Sequence, residues 1–164
     1  MQLSKILAAL VVLTALVMPI CGQETAESWN LVGNALYNQG KYDEAIRAYD
    51  EVIRLDPKYA GAWYNKGNAL YNQGKYDEAI QTYDEAIRLD PKLAVAWNNK
   101  GLALGKQGKY EDAIQAYDEA IRLDPGFAAA WYNKGWVLGE QGKYAEAIQA
   151  YDEAIRLDPE YAAA

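Results

Sequence analysis

The chain has 164 residues, about half hydrophobic and a quarter charged, with a formal net charge of −7. That length holds one compact domain or one short repeat array, and the acidic balance excludes the basic patch a nucleic-acid binder needs to displace counterions. Histidine is absent, Cys21 is the sole cysteine, and Ser4 and Ser28 are the only serines, which leaves no Ser-His or Cys-His nucleophile pair, no Cys/His metal site and no disulfide within one chain. Carboxylates are plentiful, but they recur identically at helix-surface spacing, so neither an enzyme, a cofactor nor a metal is expected.

Met1 to Lys5 is short and carries one positive charge; Ile6 to Val17 is apolar or small apart from Thr14, and Met18, Pro19, Ile20, Cys21 and Gly22 follow. This is the layout of a secretory signal. Removal after Gly22 is expected, giving a mature chain outside the cytoplasm. The apolar run, about 12–15 residues, is short of the roughly 20 that span a bilayer. An uncleaved anchor over residues 6–20 is the alternative, and the only membrane contact expected. The residues before Cys21 lack the small side chain that precedes a lipidated cysteine. Without residues 1–22 the chain carries 15 basic and 23 acidic residues, a net −8, which favours solubility and basic partners. Residues 23–25 form a brief polar link.

From Ala26 onward the sequence repeats. Trp29, Trp63, Trp97 and Trp131 are spaced 34 residues apart, each followed four residues on by Gly33, Gly67, Gly101 or Gly135, and each unit closes at Pro57, Pro91, Pro125 or Pro159. Four units result, over 26–59, 60–93, 94–127 and 128–161, with 162–164 opening a fifth. In the second unit Trp63, Gly67 and Leu70 form one helical stripe. Gly74 stops that helix, and Tyr76, Ala79, Ile80, Tyr83, Ala86 and Ile87 set out a second at a period near 3.6. Asp77 and Glu78 in its first turn and Arg88 in its last suit the helix dipole, and Asp90-Pro91 ends it. Each unit is therefore an antiparallel helix pair that needs its neighbours to bury both faces. Gly67 and Ala79 fall where a larger side chain would hold the helices apart. Asp50–Arg54, Asp84–Arg88, Asp118–Arg122 and Asp152–Arg156 are expected to form i, i+4 pairs on the outer face.

The pattern Trp-x3-Gly-x2-Leu … Gly-Lys-Tyr-x2-Ala-Ile-x2-Tyr … Leu-Asp-Pro resembles the tetratricopeptide repeat over residues 26 to 161. The resemblance implies an all-α solenoid of antiparallel helix pairs wound into a right-handed superhelix. The family usually has leucine just before the first-helix glycine; here stand Val32, Lys66, Lys100 and Lys134. The lysines are expected to lay their stems along the surface and to loosen the contact to the preceding unit slightly.

The resemblance also implies a concave groove, lined by the first helix of each unit, that binds a peptide or protein. Its lining places hold Asn30, Tyr64, Asn98 and Tyr132 one residue after the tryptophan, and Leu31, Asn65, Asn99 and Asn133 two after. Asn34, Asn68, Leu102 and Trp136 stand five after, and Tyr37, Tyr71, Gly105 and Gly139 eight after. The asparagines form a ladder whose amides can pair with the backbone of an extended peptide; the alternative is that they serve solubility and local hydrogen bonds. Asn34 and Asn65 match the asparagines of a carboxylate clamp, but Asn30, Val95 and Asn99 occupy its basic places, so no clamp is expected. Trp136, beside the glycines, reads either as an anchor for an apolar side chain or as packing against a neighbouring helix. After Tyr161 no capping helix follows, and the helix face carrying Ile148, Tyr151 and Ile155 is expected to stay partly exposed, open to a second copy of the chain or a partner.

Overall fold

A computed structural model describes residues 25–163; the expected signal segment, its cleavage point and the anchor alternative lie outside the described residues. Eight α-helices follow one another: α1 Ala26–Asn38, α2 Tyr42–Leu55, α3 Ala60–Asn72, α4 Tyr76–Leu89, α5 Ala94–Lys106, α6 Tyr110–Leu123, α7 Ala128–Glu140 and α8 Tyr144–Leu157, closed by a 3-10 turn over Pro159–Ala163. They form stacked antiparallel pairs, as the repeat pattern requires. No helix among the described residues is long and apolar enough to cross a membrane.

The local causes recur in each unit. Gly40, Gly74, Gly108 and Gly142 take φ between 73° and 76°, the left-handed conformation that lets the chain reverse at little cost. The following Lys N–H then reaches back into the first helix, Lys41 to the Leu36 carbonyl at 3.0 Å and Lys75 to that of Leu70 at 3.0 Å. The second helices end where Asp56, Asp90 and Asp124 fold a carboxylate oxygen onto the backbone N–H two residues on, at 3.0–3.1 Å. Among the described helices only α1 has a side-chain N-cap, Thr25, in a reciprocal capping box with Ser28.

Inside each pair the glycine lets a tyrosine ring lie flat against the helix. A Cβ on Gly33, Gly67, Gly101 or Gly135 would stand 2.5–2.9 Å from ring carbons of Tyr49, Tyr83, Tyr117 or Tyr151. Between pairs, Ala62, Ala69, Ala96, Ala103, Ala130 and Val137 are fully buried, so backbones can approach closely. First helices of neighbouring units come within 8 Å of one another at Cα while second helices hardly do. The first helices therefore line the inside of the curve.

The outer charges depart from expectation. Arg54, Arg88, Arg122 and Arg156 pair not with the aspartates four residues back but with Glu51, Glu85, Glu119 and Glu153 three back, at 2.6–2.8 Å. Asp50, Asp84 and Asp118 instead take Lys66, Lys100 and Lys134 of the following unit, each at 2.6 Å. The aspartate sits on the side of its helix that faces the next unit, where lysine arrives from across the junction. These lysines also lie 5.3–5.9 Å from the centroids of Trp63, Trp97 and Trp131. They tie units together rather than loosening them. Gln73 to Asp43 (2.8 Å) and Gln141 to Glu111 (2.7 Å) add further ties.

Candidate functional site

The expected groove residues lie on α1, α3, α5 and α7, the inner helices. Their amides are engaged with one another. Asn65 Nδ2 donates to Oδ1 of Asn30 (3.3 Å) and of Asn34 (3.2 Å), across the first junction. Asn99 Nδ2 donates to the Tyr64 hydroxyl (3.3 Å) and to Asn68 Oδ1 (2.8 Å) across the second. At the third, Asn133 donates to Asn98 Oδ1 (3.0 Å), and Asn98 in turn to Asn99 (3.0 Å). The ladder is therefore a set of rungs between helices. Asn65 and Asn99 have no N–H left over for a peptide, because packing brings residues 31 and 35 apart in sequence side by side. Asn98 is only 5% exposed, beneath the rungs.

What faces outward is narrower. Asn34 and Asn68 spend their Oδ1 twice, on the rung and on the hydroxyl of Tyr49 (2.9 Å) or Tyr83 (2.8 Å) from the second helix. Their N–H2 groups have no side-chain partner among the described residues. The groove hollows at these two asparagines. One depression of about 230 Å³ is lined by Asn34, Tyr37, Asn38, Asn65 and Asn68 over Tyr49. A second, of about 280 Å³, shares Tyr37 and Asn68 and adds Tyr64, Tyr71, Asn72, Asn99 and Leu102 over Tyr83. Tyr37 is steadied by an N–H of Asn72 at 2.8 Å and by the edge of Tyr42; Tyr71 lies against Tyr76 in the same way.

Asn30, Asn98, Tyr132, Asn133 and Trp136 fall outside these hollows. Tyr132 is packed between Tyr151 and Tyr161, with centroids 5.3 and 5.2 Å away. Trp136 leans over Gly105, its Cζ3 lying 3.6 Å from where a Cβ there would stand, yet it is 40% exposed. It thus packs on the neighbouring helix and still shows a face to the groove. A depression of about 560 Å³ lies on the other side of the stack, over Ile80, Trp97 and Leu104. Two of its carboxylates, Asp118 and Glu119, are already held by Lys134 and Arg122.

Burial raises the pKa of Tyr49 to about 12 and that of Tyr83 and Tyr117 further still; Tyr37 and Tyr71 are also raised, with the Asn72 hydrogen bond opposing at Tyr37. These phenols keep their protons at neutral pH, and Tyr49 and Tyr83 donate theirs to Asn34 and Asn68. The floor tyrosines Tyr49 and Tyr83 were not among the expected groove residues. The signal for them was the asparagine one residue after the first-helix glycine, Asn34 or Asn68, which is the partner of the hydroxyl.

A curved stack of antiparallel helix pairs with a polar inner face defines a helical-repeat scaffold. The tetratricopeptide repeat family model matches residues 32–94 and 98–162, and the chain belongs to that family. A crystal structure of MamA is 27% identical, with a TM-score of 0.78 over 85% of this chain and 81% of that one. MamA 41-end from Desulfovibrio magneticus RS-1 is 26% identical, with a TM-score of 0.76 over 85% and 79%. No curated protein matches the sequence.

Proposed function

We propose that the concave face holds an extended segment of a partner protein and that the chain is a non-catalytic interaction scaffold. The observation that carries this is the pair of outward N–H2 groups on Asn34 and Asn68, each fixed by two bonds to its own oxygen. A donor held this way meets a peptide carbonyl without losing side-chain freedom, which lowers the cost of binding. The hollows of about 230 and 280 Å³ fall short of the roughly 300–1,000 Å³ of small-molecule sites and suit peptide side chains. Affinity near micromolar, about −8 kcal/mol, is expected.

Asn34→Asp with Asn68→Asp tests the reading. A carboxylate still accepts from the tyrosine and from the rung, but it offers no N–H to a ligand. Peptides selected by the wild-type chain from a random phage-displayed library should bind the double variant at least about tenfold more weakly, a loss of about 1.4 kcal/mol, with the helical circular dichroism unchanged. Equal binding, or no peptide selected at all, refutes it. Export with loss of residues 1–22 belongs to the same proposal, and N-terminal sequencing of the natural protein tests it.

A second reading is assembly through the face of α8. Tyr144 is 70% and Ile148 59% exposed, whereas Tyr110 and Ile114, one unit earlier, pack against the core. A strict monomer in sedimentation at high micromolar concentration counts against it. Trp136→Ala separates the two readings, since it should weaken peptide binding and leave self-association intact.

A further inference from the structure

Tyr49, Tyr83 and Tyr117 hold the same place in the first three units. A Cβ on Gly33, Gly67 or Gly101 would stand 2.5, 2.6 or 2.6 Å from the matching ring Cε1, so all three rings lie alike and each hydroxyl emerges beside the residue that follows the glycine. In the first two units that residue is Asn34 or Asn68, which accepts the phenol proton. In the third it is Leu102. Tyr117 is 1% exposed, and its hydroxyl has no hydrogen-bond partner among the described residues. Its oxygen is not fully closed off, since the fully buried side-chain atoms without a partner among the described residues are Oε1 of Gln73, Gln107 and Gln141.

The surroundings change at the same point. Tyr71 stands close enough to raise the proton affinity of Tyr117. The Tyr71 hydroxyl is uncapped too, because Lys106 replaces the asparagine that caps Tyr37. Gly105 and Gly139 stand where the earlier units have tyrosines. Trp136 covers the first gap, and nothing lies within 4 Å of a Cβ placed on Gly139.

We propose that the groove between Tyr71 and Gly139 is the pocket that sets ligand preference. It takes one large apolar side chain of an extended peptide, seated on Leu102 and Trp136 over the Gly139 gap, with a main-chain carbonyl of that peptide accepting from the Tyr71 and Tyr117 hydroxyls. The inference rests on the peptide reading above and adds to it which residue the peptide must carry. An apolar body with an acceptor beside it satisfies both the exposed indole and the unpaired phenols, and a wholly polar segment satisfies only the latter.

The test uses the full chain as wild type and as Leu102→Asn, which gives the third unit the asparagine–tyrosine pair of the first two. Each is used to select from a random phage-displayed peptide library, and selected peptides are titrated by fluorescence anisotropy beside versions with single alanine replacements. Wild-type peptides are expected to share one Trp, Phe, Leu or Met, and its replacement by alanine should weaken binding about tenfold or more. Peptides should still bind Leu102→Asn, with the penalty at that position reduced to about threefold or less. Should Leu102→Asn fail to fold, Trp136→Ala, a change at a surface-exposed side chain, carries the same expectation. Wild-type peptides with no shared apolar residue overturn the inference and leave the peptide reading standing, as does a preference undiminished in either variant. A library that yields no binder overturns both.

Discussion

Two glycine-to-alanine substitutions in neighbouring inner helices should change stability in opposite directions. Gly101 is buried, and an added Cβ would meet Tyr117 at 2.6 Å from Cε1 and 2.9 Å from both Cδ1 and Cζ. Optimal carbon contacts lie near 3.5–4.0 Å, so about 1 Å of relief is needed. The ring cannot retreat, because Leu104, Ala113, Ala116 and Val137 enclose it. Overpacking of this kind costs about 1–3 kcal/mol, and three clashing atoms put it near the upper end. Alanine recovers about 0.5–1 kcal/mol through helix propensity. Gly101→Ala should therefore lose about 2 kcal/mol, lowering a urea midpoint by about 1 M. Gly139 also lies in a helix, with nothing within 4 Å of the added atom; Gly139→Ala should gain about 0.5–1 kcal/mol. Urea titrations followed by far-UV circular dichroism, fitted with nearest-neighbour coupling between units, give both values. In a Tyr117→Leu background the Gly101→Ala penalty should largely vanish, since the atoms it strikes are gone. A Gly101→Ala chain as stable as wild type would refute the account of the glycine–tyrosine contact.

Asn68→Ala removes the acceptor for both Tyr83 and Asn99 and should cost about 1–3 kcal/mol. The same change at exposed Asn38 should cost much less, and equal losses in thermal melts would contradict the rung assignment. Lys100 joins Asp84 at 2.6 Å and Trp97 at 5.3 Å; Lys100→Gln should lower stability by about 0.5–1 kcal/mol. High salt should shrink that difference, and a loss that grows with salt would be inconsistent with the ion pair. The tyrosine shifts predict an alkaline limit. Tyr49 is raised to about 12 in the fold, above about 10 for a free phenol, so its contribution is complete below about pH 10 and is lost as pH rises through about 12. A denaturation midpoint that stays level to about pH 12 would show that burial of the phenols carries no linkage.

Much of the fold was legible because each junction uses the same chemistry. The interval between Trp29, Trp63, Trp97 and Trp131, the glycine stops and the Asp-Pro ends fix eight helices and their pairing. They do so through local backbone preferences that act within a few residues. The close contact at Gly67 was readable for the same reason, since a glycine on an apolar stripe marks a close approach.

What lay across a junction was not readable in this way. The aspartates matched arginines four residues on by sequence spacing, but lysines of the following unit reached them first. The asparagines had the residue type for peptide binding, but the curvature set them against one another, spent the N–H groups of Asn65 and Asn99 on the rungs, and left those of Asn34 and Asn68 over the hollows. Tyr117 looked like any core tyrosine until the residue beside its hydroxyl was seen to be Leu102. By itself the sequence determined helices, turns and the repeating contact within a unit, since those depend on neighbours along the chain. Which polar groups are spent and which are left for a ligand depends on distances between separate units, and only their stacking fixed those.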